Sequence, residues 1–262
     1  MNTKIGIFDS GLGGLSIYQT IRQQLPDASL CYVADSAYAP YGPRGADYVR
    51  ERSFRIADFL LNTQQADALV IACNTATAAA AQALRQHYQQ PIIAIEPGLK
   101  PAITASQNKT VAVLATQGTL ASSQFANLCE RFATGVTVID IACRGWVELV
   151  EQGQHQTLRA YELVRQTLQP ARAANADTLV LGCTHFPFLR DAILAAFDTP
   201  VTLIETADAV ARQTVKRLTQ YPVATHALPP HDSFWTSGEV DAATRTMSQL
   251  LQRSVQVKKW AG

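Results

Sequence analysis

Two cysteines stand where a thiol could do chemistry. The stretch Ala66-Asp67-Ala68-Leu69-Val70-Ile71-Ala72-Cys73-Asn74-Thr75 recurs 110 residues later as Ala176-Asp177-Thr178-Leu179-Val180-Leu181-Gly182-Cys183-Thr184-His185. In each copy an apolar run reads as a strand, the thiol follows it, and a helical pattern comes next. Ligands of open parallel sheets bind beyond the carboxyl ends of the strands. A buried core cysteine is the plain alternative for either thiol, but a core position does not call for the polar pairs Asn74-Thr75 and Thr184-His185 that follow. A free thiol titrates near ~8.5, close enough to neutrality to exist in either state. Two such groups, one from each half of a cleft, suit one reaction: a thiolate removes a proton from one face of a carbon, the opposite thiol protonates the other, and configuration inverts. An amino-acid α-proton is far less acidic than a thiol, so the site must also stabilise a carbanion with placed donors and exclude water.

Other polar residues cluster at strand ends. Asp9-Ser10-Gly11-Leu12-Gly13-Gly14 follows the first strand. A phosphate cradle is one reading, but the spacing is not GxGxxG and Asp9 would repel an anion. The other reading puts Asp9 beside a thiol, as proton acceptor or partner of a cation, with Ser10 on the substrate. His185, two residues beyond Cys183, is as well suited to an acid–base role as to a structural one. Asp35 ends the second strand and reads as a helix or turn cap. Glu151, in Val147-Glu148-Leu149-Val150-Glu151, reads from the sequence as a solvated helix residue. Tyr41-Gly42 lies in a proline-bearing loop suited to a cleft wall. Glu96 and Glu205 match across the repeat, with structure and function both open for them.

These residues need an α/β frame. Ile5–Phe8, Leu30–Ala34, Ala68–Ala72 and Ile92–Ile95 read as strands; Leu15–Leu25, 46–62 and Thr75–Tyr88 read as helices. Strands alternating with helices predict a mainly parallel sheet. Pro91 to Glu96 recurs as Pro200 to Glu205, and Ile5–Phe8 is echoed in Val111–Leu114. Three elements repeating in order predict two pseudo-symmetric α/β domains, the second running from about Lys109 to Glu205 after a linker near Pro101 to Asn108. The offset is too long for a solenoid. A tail of about fifty residues follows, with a helix from Ala209 to Leu218, a Pro229-Pro230 loop, a short strand Phe234-Trp235-Thr236 and a helix from Asp241 to Gln252.

Composition narrows the class. Of 262 residues 47% are apolar and 16% charged, enough for a packed core rather than disorder. Net charge is +1, with no basic surplus for nucleic acid or an anionic membrane. No apolar run approaches the ~18 residues of a membrane span, and Met1-Asn2-Thr3-Lys4 leads into the first strand without a signal peptide. Five cysteines (Cys31, Cys73, Cys129, Cys143, Cys183), odd in number and without CxxC spacing, argue against disulfides or zinc and for a cytoplasmic protein. A Schiff-base cofactor needs a lysine, and none of Lys4, Lys100, Lys109, Lys216, Lys258 and Lys259 ends a strand in a polar constellation. No cofactor and no metal are expected.

Ile7-Phe8-Asp9-Ser10-Gly11-Leu12-Gly13-Gly14, Tyr41-Gly42-Pro43-Arg44, Ala72-Cys73-Asn74-Thr75-Ala76-Thr77, Ile95-Glu96-Pro97-Gly98 and Gly182-Cys183-Thr184-His185-Phe186-Pro187 together resemble the glutamate racemases of the aspartate/glutamate racemase family. The resemblance spans residues 5 to about 211 in one order. It implies a cofactor-independent racemase with its site in the cleft between two domains, supplying D-glutamate for peptidoglycan. It implies that Cys73 and Cys183 are the acid–base pair, acting on D- and L-glutamate respectively, with Asp9 and His185 assisting. Asp9, Ser10, Tyr41, Gly42, Asn74, Thr75, Thr184 and His185 would line the substrate site, and Asp35 and Glu151 match supporting carboxylates. The tail would return to the first half, giving domains 1–97 with 206–262, and 98–205. Two departures stand out: Arg144 follows Cys143 where the family usually has proline, and Ile204-Glu205-Thr206 replaces the common Ile-Asp-Ser. Some members carry an N-terminal extension linked to activation by a cell-wall precursor; this chain begins at its first strand, so that activation is not expected.

Competing readings are a racemase of aspartate or another small acid, a hydrolase using one cysteine as nucleophile with His185 as base, and a binding protein that has lost its chemistry. The hydrolase leaves the repeated cysteine unexplained, and the intact thiols argue against the binding protein. Glutamate is the expected small-molecule partner, with neither nucleic acid nor membrane; a homodimer is compatible with this reading.

Overall fold

A computed structural model describes residues 3–221 and 229–262; Met1 and Asn2, read above as leading into the first strand, lie outside them. Ten strands are present among these residues: β1 (Lys4–Asp9), β2 (Ser29–Ala34), β3 (Ala68–Ile71), β4 (Ile92–Ala94), β5 (Thr110–Ala115), β6 (Thr137–Ala142), β7 (Thr178–Leu181), β8 (Thr202–Ile204), β9 (Ser233–Thr236) and β10 (Val257–Lys259). They form two sheets, ordered β10-β9-β2-β1-β3-β4 and β6-β5-β7-β8. Every pairing is parallel. Parallel strands lie between helices and are buried on both faces, which is why β1, β2, β3, β5 and β7 read as nearly unbroken apolar runs. No described helix is long and apolar enough to cross a membrane.

The chain divides into two compact units, Met1–Ile95 with Ala207–Gly262, and Glu96–Thr206. The sequence repeat is a repeat of topology. The order β2-β1-β3-β4 in one sheet matches β6-β5-β7-β8 in the other. Ile5 faces Ala68 in the first sheet as Val111 faces Thr178 in the second. The first sheet then extends beyond β2 through β9 and β10. The sequence reading found β9 but not β10, whose Val-Lys-Lys is too short and polar to signal a strand.

One expectation is corrected. The stretch assigned to a linker near Pro101 to Asn108 is mostly a helix, Leu99–Ala105. Pro101 sits in its first turn, where a missing N–H costs nothing. Leu99 and Ala102 are buried among Val111, Val113, Phe125 and Val180, with Ile103 packed against them. Helical spacing of these apolar residues prevails over the proline signal. Likewise the helix expected over 46–62 is an α-helix over Ala46–Asp58 continued by a π-helical turn over Phe59–Thr63.

The repeated aspartates pin the amino ends of the sheets. Asp67 accepts from the Lys4 amide at 2.8 Å and its own amide returns a bond to the Lys4 carbonyl. Asp177 gathers the Ser106 hydroxyl (2.7 Å), the Gln107 and Asn108 amides (2.7 and 2.9 Å) and the Thr178 hydroxyl (2.9 Å). Burial would raise the Asp177 pKa, but these donors outweigh it and hold it below the usual carboxylate value. A depressed folded-state pKa stabilises the fold above the unfolded value of ~3.9 and loses that contribution as pH falls through the folded value. Asp177→Ala should therefore cost about 1–2 kcal/mol at pH 7, allowing for the solvent exposure of the pair partners. Denaturant melts of both proteins should converge as the pH drops below the carboxylate range; a stability gap that persists there contradicts this account.

Candidate active site

Each unit holds one of the two thiols, and each thiol is set by the same backbone device. In the first unit the Ala72 amide bonds to the Phe8 carbonyl at 2.8 Å, tying the carboxyl end of β3 to that of β1. Cys73 follows, 5% exposed, as the N-cap of the helix Asn74–His87, its sulfur accepting from the Ala76 amide at 3.4 Å. The first-turn amides of a helix carry partial positive charge, an environment that favours negative charge on the sulfur. On the β1 side the Cys73 thiol lies 3.7 Å from Ser10 Oγ, and Ser10 donates to Asp9 Oδ1 at 3.1 Å. Thiol, hydroxyl and carboxylate thus form a buried series. The other Asp9 oxygen accepts from the Gly14 amide, folding the Ser10–Gly14 turn back on the strand. A Cβ on Gly14 would come within 2.8 Å of the Asp9 Cβ and 2.9 Å of the Tyr32 hydroxyl. The glycine-rich turn is therefore a close-packed carboxylate turn.

Asn74 is 5% exposed, and neither its Oδ1 nor its Nδ2 has a hydrogen-bond partner in the protein. Leaving a buried amide unsatisfied costs roughly 1–3 kcal/mol. Next to a thiol, that amide offers a polar ligand both a donor and an acceptor. Thr75 is buried beside it.

Asp35, Tyr41 and Arg52 form a second buried group in this unit. Asp35 does not cap the turn that follows it, so the cap reading fails. Its Oδ1 and Oδ2 take Nη2 and Nε of Arg52 at 2.8 and 2.9 Å, and Oδ2 also accepts the Tyr41 hydroxyl at 2.5 Å. Burial, then the Asp35 charge, push the Tyr41 phenol far above its ordinary value, so it stays a donor. Both oxygens of Asp35 are thus engaged by the guanidinium. Tyr41 and Cys73 lie in one buried cluster, which places the Tyr41-Gly42 loop near the first thiol. Arg52 carried no signal in the sequence, where it is one polar residue on an amphipathic helix.

In the second unit the Gly182 amide bonds to the Leu114 carbonyl at 2.7 Å. A Cβ on Gly182 would stand 2.9 Å from that oxygen, so only glycine fits the approach without a shift. Cys183 follows, 7% exposed. Its sulfur is 3.7 Å from His185 Nδ1, and His185 Nε2 is 2.6 Å from Glu151 Oε1. Burial of the imidazole favours its neutral form, but the bonds and charges of Cys183 and Glu151 prevail and lift its pKa well above the ordinary value. The shift favours the imidazolium, the form in which both ring nitrogens donate to these neighbours. Glu151 is a partner of this histidine and not the solvated residue its sequence suggested. Thr184 is buried next to the thiol. Thr116 and Thr119, hydroxyls 3.0 Å apart just beyond β5, were not singled out from the sequence; Thr116 follows β5 as Ser10 follows β1. Cys143 follows β6 as Asp35 follows β2, its amide on the Ala115 carbonyl as Asp35's is on that of Asp9, both at 3.0 Å. Burial and the nearby Cys183 charge push the Cys143 thiol well up, leaving it uncharged.

The repeat-matched glutamates bond within the second unit, Glu96 to Gln124 and Glu205 to Arg190. Among the described residues no cluster of three or more His, Cys, Asp or Glu could hold a metal ion.

The Asp/Glu/hydantoin racemase family matches residues 5–214. The glutamate racemase of Ectopseudomonas mendocina (strain ymp) is 46% identical over 254 residues, covering 97% of this chain and 96% of that protein. The crystal structure of a glutamate racemase isoform from Bacillus anthracis has a TM-score of 0.87 at 33% identity, over 98% of this chain and 97% of that one. The Escherichia coli glutamate racemase, solved with L-glutamate and the activator UDP-MurNAc-Ala, has a TM-score of 0.89 at 30% identity, over 99% of this chain and 98% of that one.

The charge on His185 depends on Glu151. In Glu151→Gln the carboxylate charge is gone, so the imidazolium should lose its proton at lower pH than in the unaltered protein. NMR titration of the ring protons reads this directly, and an unchanged midpoint would remove Glu151 from the account.

Proposed function

The chain belongs to the Asp/Glu/hydantoin racemase family, and from that premise we propose that it interconverts L- and D-glutamate, with Cys73 and Cys183 as its two acid–base groups and no cofactor. The observation that carries the reading is the matched placement of the two thiols, one after β3 and one after β7, in sheets of the same order. A reaction that removes a proton from one face of a carbon and returns one to the other needs an acid–base group on each face, and two matched thiols supply them.

Starting from L-glutamate, the Cys183 thiolate takes the α-proton. The C–H electron pair moves into the α-carboxylate, and a new S–H bond forms. The Cys73 S–H bond then breaks as its proton goes to the opposite face of the carbon, leaving a thiolate and D-glutamate. His185 stands 3.7 Å from Cys183, and its raised pKa suits it to hold positive charge beside the sulfur while the proton moves. On the other side the Ser10 hydroxyl and Asp9 carboxylate stand behind Cys73. Asn74, with both polar atoms unpartnered, is suited to the substrate's charged groups, with Thr75, Thr184, Ser10 and Tyr41-Gly42 as further lining. The two enantiomers have equal free energy, so kcat/KM must be the same in both directions however different the flanking groups are. The biological role that goes with this chemistry is supply of D-glutamate to peptidoglycan in the cytoplasm.

One observation favours a second reading. Cys183, His185 and Glu151 form a thiol–imidazole–carboxylate series of the kind a cysteine hydrolase uses. That reading leaves Cys73, Ser10 and Asp9 without a task.

The test is circular dichroism of pure L- and pure D-glutamate, with aspartate as control and nothing else added. Both glutamate enantiomers should lose optical activity at the same kcat/KM. Cys73→Ala and Cys183→Ala should each fall by about 10³-fold or more while staying folded; near-normal turnover in either variant rejects the two-base reading. In deuterated water at low conversion, the product should carry deuterium while recovered substrate does not. Substantial transfer of the substrate's own hydrogen into product would mean a single base.

A further inference from the structure

A buried ion pair lies behind the Tyr41-Gly42 wall, and the end of the described chain completes it. Arg52 uses Nε and Nη2 on Asp35, and its remaining nitrogen Nη1 donates to the Gly262 carbonyl at 3.4 Å. Its Cζ lies over the Tyr38 ring at 3.7 Å from the centroid and over the Trp260 ring at 5.2 Å. All three guanidinium nitrogens are thus engaged, and the cation lies over two aromatic rings. Trp260 is held in turn: its amide bonds to the Thr236 carbonyl at 2.8 Å, and its ring packs on Phe59 at 5.9 Å between centroids. Trp260 also belongs to the buried cluster that contains Cys73 and Tyr41. The Ser237 hydroxyl accepts the Ala37 amide at 3.1 Å, and Lys259 Nζ donates to the Ser237 and Gly238 carbonyls at 2.7 and 2.8 Å. The segment after β9 therefore bonds the turn that follows Asp35, and Lys259 of β10 holds that segment in place.

We propose that Arg52 is a positioning residue for the substrate-binding loop, acting through Asp35 on Tyr41, and that Trp260 holds Arg52 in the one orientation that does this. The proposal rests on the racemase reading, which assigns Tyr41-Gly42 to the substrate wall. A guanidinium is required because the contact is a fork on both carboxylate oxygens with the cation over two aromatic rings; an ammonium can supply the charge but not the fork. Asp35 must keep Oδ2 aimed at the Tyr41 hydroxyl, and only a two-point contact fixes the carboxylate plane.

The experiment measures glutamate racemisation in the unaltered protein, in Arg52→Lys, in Trp260→Phe, in Tyr41→Phe and in the double variant Arg52→Lys/Tyr41→Phe. Folding is checked by thermal melts. Arg52→Lys should raise KM about tenfold with kcat changed less than threefold, because the wall binds substrate and does not move protons. Trp260→Phe keeps an aromatic face of smaller area and should raise KM about threefold. The Arg52→Lys and Tyr41→Phe effects should fail to multiply in the double variant, since both remove the same link. A purely structural arginine would lower the melting temperature and leave KM unmoved; folded variants with the original KM, or effects on KM that multiply, overturn the proposal. Should Arg52→Lys not fold, the KM of Trp260→Phe decides. If the unaltered protein does not racemise glutamate, the racemase reading fails instead.

Discussion

Everything chemical in this protein hangs on one backbone hydrogen bond, made twice. The Ala72 amide reaches the Phe8 carbonyl, and the Gly182 amide reaches the Leu114 carbonyl. Each is the last rung between two neighbouring parallel strands, and the thiol comes one residue later. A parallel ladder brings like ends together, so the turn after β1 lies beside the thiol after β3, and Ser10 with Asp9 falls within reach of Cys73. In the second unit the same geometry puts Thr116 at the end of β5, while the partners of Cys183 come from elsewhere: His185 from its own loop and Glu151 from the helix Trp146–Glu151.

The two half-sites share a scaffold and differ in their proton partners. Asp35 and Cys143 occupy matching positions after β2 and β6, each with its amide on the neighbouring strand end. One is a carboxylate locked to Arg52 and the other a thiol that burial keeps uncharged. Behind Cys73 stands a hydroxyl–carboxylate series, and behind Cys183 an imidazole–carboxylate series. The repeat fixes where a side chain can stand, and each copy sets different partners beside its thiol.

Legibility in the sequence followed from how local the signal was. Strands buried on both faces appear as apolar runs; the thiols stood out because they recur after matching strands, and Asp9, Ser10 and His185 because they are polar residues at strand ends. Arg52 was not visible: its partner lies 17 positions away, and nothing on an amphipathic helix distinguishes a buried arginine from a solvated one. Glu151 was misread for the same reason, since its histidine comes 34 residues later. The helix Leu99–Ala105 was hidden by Pro101, which is harmless in a first turn but reads as a break. β10 was hidden by its shortness; it exists because the edge of β9 was there to pair with.

The first sheet closes late. In the finished fold β2 is an inner strand between β1 and β9. During synthesis it emerges first, and its partner β9 leaves the ribosome only after the whole second unit has been made. Over that interval Leu30 to Ala34, all apolar, form an open sheet edge of the kind that pairs with other chains. The same order leaves Arg52 without Trp260 until the last residues arrive, so a buried charge and a bare edge are both completed by one short tail. A chain without this tail leaves that edge of β2 unpaired, and β9 is the strand that covers it.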